Sequence, residues 1–250
     1  MMQKILKMLV LFSLLLMSIP SLFAQDTTPS ADELCLNKNG FINEDGNCQV
    51  SGGVTFEIQY PLDFVQADPF IEETVDAYIA QQQADIFQQF SEVNHASPNG
   101  HPWELYLDYE TFTYNADVVS IKFAGYQYTG GAHGLPYIKT FVFDLSGDTS
   151  RILTLNDVFQ EEHNPWLTIQ PMVKAQLLEQ FGDSADASWI DEGTGENPDN
   201  YASFVIDGDA IVFYFQAYQV APYVAGMPSV RIPLADINVL LKPPFLEMGS

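Results

Sequence analysis

Two aromatic, glycine-bearing segments carry most of the chemical potential of this chain. The first is Tyr128-Thr129-Gly130-Gly131-Ala132-His133-Gly134. Its three glycines permit backbone angles closed to other residues, so the segment reads as a shaped loop. An imidazole in such a loop can bind a ligand or donate a proton near neutral pH. Equally, it can hydrogen-bond the loop's own carbonyls. The second segment runs from Tyr214 through Tyr218-Gln219-Val220-Ala221-Pro222-Tyr223 to Gly226. Phe213 and Phe215 fall on a strand and read as core. Tyr218 and Tyr223 lie beyond it, where rings with a polar tip favour interfaces and sugar stacking. The candidate binding residues are therefore Tyr128, Gly130, Gly131, His133, Tyr218, Pro222 and Tyr223. None is assigned a catalytic role.

Other chemistry is sparse. The sequence has no Gly-x-Ser-x-Gly elbow, P-loop or His-Glu-x-x-His. His95 and His101 flank a loop and His163 follows Glu161-Glu162, which suits solvated side chains. Asp207 and Asp209 flank a hairpin glycine, which is turn chemistry first. The only cysteines, Cys35 and Cys48, suit one local disulfide in an oxidising compartment. In the chain-entropy model so short a loop contributes about 3 kcal/mol at most. Within it, Asn43-Glu44-Asp45-Gly46-Asn47 misplaces the glycine of a calcium loop and lacks the closing Glu. No metal or cofactor is expected.

Charge narrows the partners. Against 9 Lys+Arg stand 33 Asp+Glu, a formal net charge of −24 over 250 residues. Nothing here neutralises a row of phosphates, so a nucleic-acid partner is excluded, as is basic attachment to anionic lipid. The 47% hydrophobic content still supports a packed core. Lys4 and Lys7 precede the apolar run Met8 to Met17, Pro20 breaks it, and Ala24 offers a small residue for cleavage. That is a signal peptide over 1–24 rather than an anchor, because a bilayer span needs about 20 apolar residues. The mature chain is expected to be secreted or periplasmic, with no membrane attachment.

The elements that must position these loops follow from periodicity. Val54 to Tyr60 alternates as a strand. Asp68-Pro69 opens an amphipathic helix bearing Ile71, Val75, Tyr78, Ile79, Ile86 and Phe90, to about Val93. Strands are expected over Trp103 to Glu110, Val118 to Tyr128 and Tyr137 to Leu145, with a return strand over Ile152 to Leu155. A second helix begins after Asn164-Pro165 and ends at Gly182. The acidic stretch 183–200 reads as a long surface loop. A hairpin turns at Asp207-Gly208-Asp209, and a strand over Val230 to Ile232 precedes a helix over Leu234 to Leu241. This order implies an α+β fold of antiparallel sheets with helices packed on them.

Taken in series, the Tyr-Thr-Gly-Gly-Ala-His-Gly loop, Phe141-Val142-Phe143-Asp144-Leu145 with Gly147, and Leu153-Thr154-Leu155-Asn156-Asp157-Val158-Phe159 form an ordered signature. With Tyr218 to Gly226 and Val230-Arg231-Ile232-Pro233-Leu234 downstream, the chain resembles the PdaC/RsiV-like extracytoplasmic domain over residues 53–241. The resemblance implies an α+β fold in two sub-parts and no established catalysis by the domain itself. In the anti-sigma factor RsiV the related domain is a lysozyme receptor; in PdaC it stands beside a separate deacetylase domain. The expected organisation is a polar tail with the stapled loop over 25–52, an N-terminal sub-part over 53–140 and a C-terminal one over 141–242. The expected function is a non-catalytic binding module for a cell-wall glycan or a cationic wall-acting protein. One alternative is a glycan hydrolase using His133 as general acid–base. The other is a structural domain, in which Gly131→Val unfolds the protein and changes at Tyr218 and Tyr223 alter nothing.

Overall fold

A computed structural model describes residues 40–42, 46, 48–50, 53–92, 102–160 and 162–246. The signal-peptide reading, Cys35, His95 and His101 lie outside these residues, as does the side chain of Cys48 and with it the disulfide.

Seven strands in sequential order form the larger sheet: β1 (Gly40–Ile42), β2 (Cys48–Val50), β3 (Val54–Ile58), β4 (Trp103–Thr113), β5 (Val118–Tyr128), β6 (Leu135–Asp144) and β7 (Arg151–Ile152). All neighbours are antiparallel except β3 and β4, which are parallel. A parallel pair needs a long crossover. Helices α1 (Leu62–Val65) and α2 (Pro69–Glu92) lie in that connection. Asp68 starts α2 by accepting the Phe70 N–H at 2.8 Å. Ile71, Val75 and Ile86 of α2 are buried against the sheet face formed by Leu105, Leu107, Ile121, Phe123 and Phe143. Burying each such side chain contributes about 1.5–3 kcal/mol.

The opposite face carries a second sheet, β10-β9-β8, from β8 (Phe204–Asp207), β9 (Ala210–Tyr214) and β10 (Ser229–Pro233). Its edge strand β8 lies against β5 and β6. There the Ser120 hydroxyl accepts the Ile206 N–H at 3.2 Å, and the Thr140 hydroxyl accepts the Phe204 N–H at 3.0 Å. Two buried hydroxyls thus satisfy main-chain donors that an edge strand would otherwise leave open. Beyond it, α4 (Trp166–Phe181) packs Ile169, Val173 and Leu177 into the same core, and Pro171 lies within that helix. The α+β class and two sub-parts are as expected. Strand β6 runs through position 140/141 and so belongs to both stretches of chain.

One expectation is refined and another corrected. The return strand over 152–155 is present but shorter: β7 pairs with β6 through Arg151 and Ile152, and Leu155–Val158 is a short helix, α3. The Asp157 carboxylate accepts from the Thr154 N–H at 2.8 Å and hydroxyl at 2.7 Å, which turns the chain into a helical start. The 183–200 stretch is not a long surface loop. It contains a 3-10 turn at Gly182–Ser184, α5 (Ala187–Gly193) and a further 3-10 turn at Pro198–Tyr201. Asp186 caps α5 through the Ser188 and Trp189 N–H groups, while Ile190 and Tyr201 are fully buried. A few well-placed residues outweigh the acidic composition. The expected terminal helix is present, as a 3-10 helix over Leu234–Leu240.

Candidate functional site

The loop from β5 to β6 and the segment after β9 meet. The rings of His133 and Tyr223 lie 4.5 Å apart at 35°, and Tyr223 and Tyr218 lie 5.7 Å apart at 38°. Three of the seven candidate residues therefore form one row of rings. His133 and Tyr218 are exposed, Tyr218 by 46%, and Tyr223 is half-buried.

Gly134 is the hub. Its carbonyl lies 2.9 Å from His133 Nδ1 and accepts the Tyr223 hydroxyl at 3.1 Å, while its N–H donates to the Tyr126 hydroxyl at 3.1 Å. The Nδ1 contact requires the tautomer that carries its proton there. A side chain at Gly134 would fall inside the Tyr126 ring, so this glycine is fixed by close approach. Gly131 is different. It is exposed, and the nearest atom to an added Cβ would be the His133 carbonyl at 3.7 Å. The unfolding by Gly131→Val that the structural-domain alternative implies finds no support in these open surroundings. Gly130, at φ +87°, does need its left-handed conformation.

The other half of the row is held from behind. Tyr218 adopts φ +69°, a conformation that costs a non-glycine residue about 1 kcal/mol or more. Its carbonyl accepts Trp189 Nε1–H at 3.0 Å. Next to it, Gln219 Nε2 donates to the carbonyls of Gly193 (2.9 Å) and Asn200 (2.8 Å), and its Oε1 accepts the Gln216 N–H at 2.9 Å. Helix α5, the element absent from the sequence reading, thus anchors the Tyr218 turn. Pro222, exposed, precedes the short 3-10 turn Tyr223–Ala225. Tyr128 sits at the end of β5 opposite Glu104, outside the row of rings.

Among the described residues, no carboxylate hydrogen-bonds or ion-pairs with His133, and no group of three His, Cys, Asp or Glu could hold a metal. The arrangement can stack flat or C–H-rich groups on its rings. Sequence reasoning missed Gly134, Tyr126, Gln219 and Trp189 as its supports. The third glycine of the loop was the one available signal.

Two family models match in tandem: "Deacetylase PdaC" over residues 49–136 and "Protein of unknown function (DUF3298)" over 156–235. The chain is 28% identical over 227 residues to the peptidoglycan-N-acetylmuramic acid deacetylase PdaC of Bacillus subtilis, covering 87% of this chain and 47% of that one. It thus spans about half the length of that relative. It is 26% identical to the esterase Rv3036c of Mycobacterium tuberculosis (75% and 76% covered) and 22% identical to the anti-sigma-V factor RsiV of B. subtilis (68% and 60%). A crystal structure of a DUF3298 family protein from Pseudomonas aeruginosa shares the fold, with a TM-score of 0.50 at 21% identity over 77% of this chain and 86% of that one. Among the described residues no helix is long and apolar enough to cross a membrane. With both family models matched in order and with PdaC and RsiV as relatives, the chain belongs to the PdaC/RsiV-like domain family.

Proposed function

We propose that this chain is an exported, non-catalytic binding module for a component of the cell wall, with the glycan strand of peptidoglycan as its ligand. The carrying observation is the row of rings at His133, Tyr223 and Tyr218, presented to solvent on two mutually hydrogen-bonded loops. Sugar C–H groups carry partial positive charge and stack on the negative faces of such rings. The turns are braced before any ligand arrives, so little conformational entropy is lost on binding. The PdaC relative, named for action on peptidoglycan, supports the ligand class.

A second reading draws on the charge. A surface at −24 attracts cationic wall-acting proteins and speeds their encounter at low salt. Pull-down with purified peptidoglycan and with lysozyme, each at low and high salt, distinguishes the two. Salt-insensitive retention on peptidoglycan is expected; binding to neither sinks both readings. A hydrolytic reading draws on the esterase relative. It predicts product release that His133→Ala abolishes, although His133 has no acidic partner among the described residues.

A further inference from the structure

A second site lies on the free edge of β6. The side-chain amide of Gln216 pairs with Ile138 as a neighbouring strand would. Its Oε1 accepts the Ile138 N–H at 2.9 Å, and its Nε2 donates to the Ile138 carbonyl at 2.8 Å. Two pairs of residues on, the Leu153 N–H donates to the Val142 carbonyl at 2.7 Å. Main-chain groups alternate sides along a strand, so Thr140, midway, also turns its N–H and C=O away from β5. Among the described residues neither group has a partner. The edge is closed on both sides of Thr140 and open at it.

That opening forms one wall of a cleft of about 360 Å³, between β6, the start of α3 and the Pro198–Tyr201 turn. The volume is in the range of ligand sites, roughly 300–1,000 Å³. Phe204 and Leu155 line the side that Thr140 faces, Phe141 lines the other, and Ala202 is exposed at the rim. None of these residues belongs to the row of rings, so the inference does not depend on the function proposed above.

The main-chain geometry selects the ligand. An extended residue presents its own N–H and C=O on one edge and meets both groups of the residue opposite. A trans amide such as an acetamido group points its N–H and C=O in opposite directions and meets only one. We propose that the cleft binds a short extended peptide, added antiparallel to β6 with one residue opposite Thr140. The window from Ile138 to Val142 is about 13 Å long at ~3.3 Å per residue, room for three ligand residues. Residues directly opposite in a sheet place their side chains on the same face. The central ligand side chain therefore lies towards Phe204 and Leu155, and an apolar one is preferred.

The test is amide-resolved NMR of the full chain titrated with acetyl-Ala-Leu-Ala-N-methylamide, the same peptide N-methylated at Leu, and N,N′-diacetylchitobiose. In the free protein the Thr140 amide proton is expected to exchange freely with solvent. The first peptide shifts and protects it. N-methylation removes the donor that the Thr140 carbonyl accepts and weakens binding about tenfold. Ala202→Trp, at the exposed rim, fills the cleft and removes peptide binding while the remaining spectrum is unchanged. Protection of Thr140 without ligand overturns the proposal, because the chain itself would then close the edge. So does a peptide that leaves Thr140 unshifted, or tighter binding of the sugar at the same amide.

Discussion

Gly134→Ala tests whether the loop is held by one close contact. The added methyl falls inside the Tyr126 ring, whose hydroxyl accepts the Gly134 N–H at 3.1 Å and whose other neighbour is Tyr106 at 5.9 Å between centroids. The ring must move, which breaks that hydrogen bond and disturbs the Tyr106 contact. Overpacking typically costs about 1–3 kcal/mol, so about 2 kcal/mol is expected. For a chain of this size that lowers the Tm by about 4–8 °C. In a Tyr126→Ala background the three nearest atoms to the methyl are gone, and the same substitution should cost less than about 0.5 kcal/mol. Gly131→Ala, with its nearest atom at 3.7 Å, serves as the control and should be near neutral. Thermal melts of the four cycle members and the control decide the matter. An equal cost of Gly134→Ala with and without the Tyr126 ring, or a larger cost at Gly131, would show that the ring contact does not hold the loop.

Three other perturbations have expected outcomes. Gly193→Ala drives a methyl into the Gln219 carbonyl, a backbone atom that cannot swing aside, so it should cost about 3 kcal/mol and weaken ligand binding through the Tyr218 turn; calorimetry and binding assays check both. Gln216→Ala leaves the Ile138 main-chain groups unpaired, which should lower the denaturant midpoint by the equivalent of about 1–3 kcal/mol and promote edge-to-edge association visible in sedimentation. The Ser146 hydroxyl, together with the Ser146 N–H and Arg151, outweighs burial and holds the Asp144 carboxyl below the usual carboxylate range. A lowered folded-state pKa stabilises above the unfolded value of about 3.9 and is lost as pH falls through the folded one, so Asp144→Asn should lower the Tm at neutral pH and cost progressively less as the pH is lowered below that unfolded value.

What the sequence reveals here depends on how local the determining physics is. The alternation of Trp103, Leu105 and Leu107 and the three- and four-residue spacing along α2 are imposed by burial of one face, so both were readable. The return strand reads too long, to Leu155, because Leu153 and Leu155 also alternate. The decisive feature was the Thr154–Asp157 interaction three residues apart. Helix α5 was hidden by acidic neighbours, although Asp186 is a good N-cap and Ile190 is core. The meeting of His133 with Tyr223 spans 90 positions and depends on two loops docking, which spacing cannot express. Nor can a sequence distinguish Gly134, pressed by a ring, from Gly131, which borders open space.

In the proposed role the row of rings retains a wall ligand and leaves its bonds intact. Equilibrium binding of wild type and Tyr223→Ala to purified peptidoglycan, with the supernatant monitored for soluble fragments, addresses it most directly. The prediction is about tenfold weaker binding by Tyr223→Ala, near 1.4 kcal/mol, and no fragments from either protein. Undiminished binding by the variant, or fragments released by wild type, would contradict it.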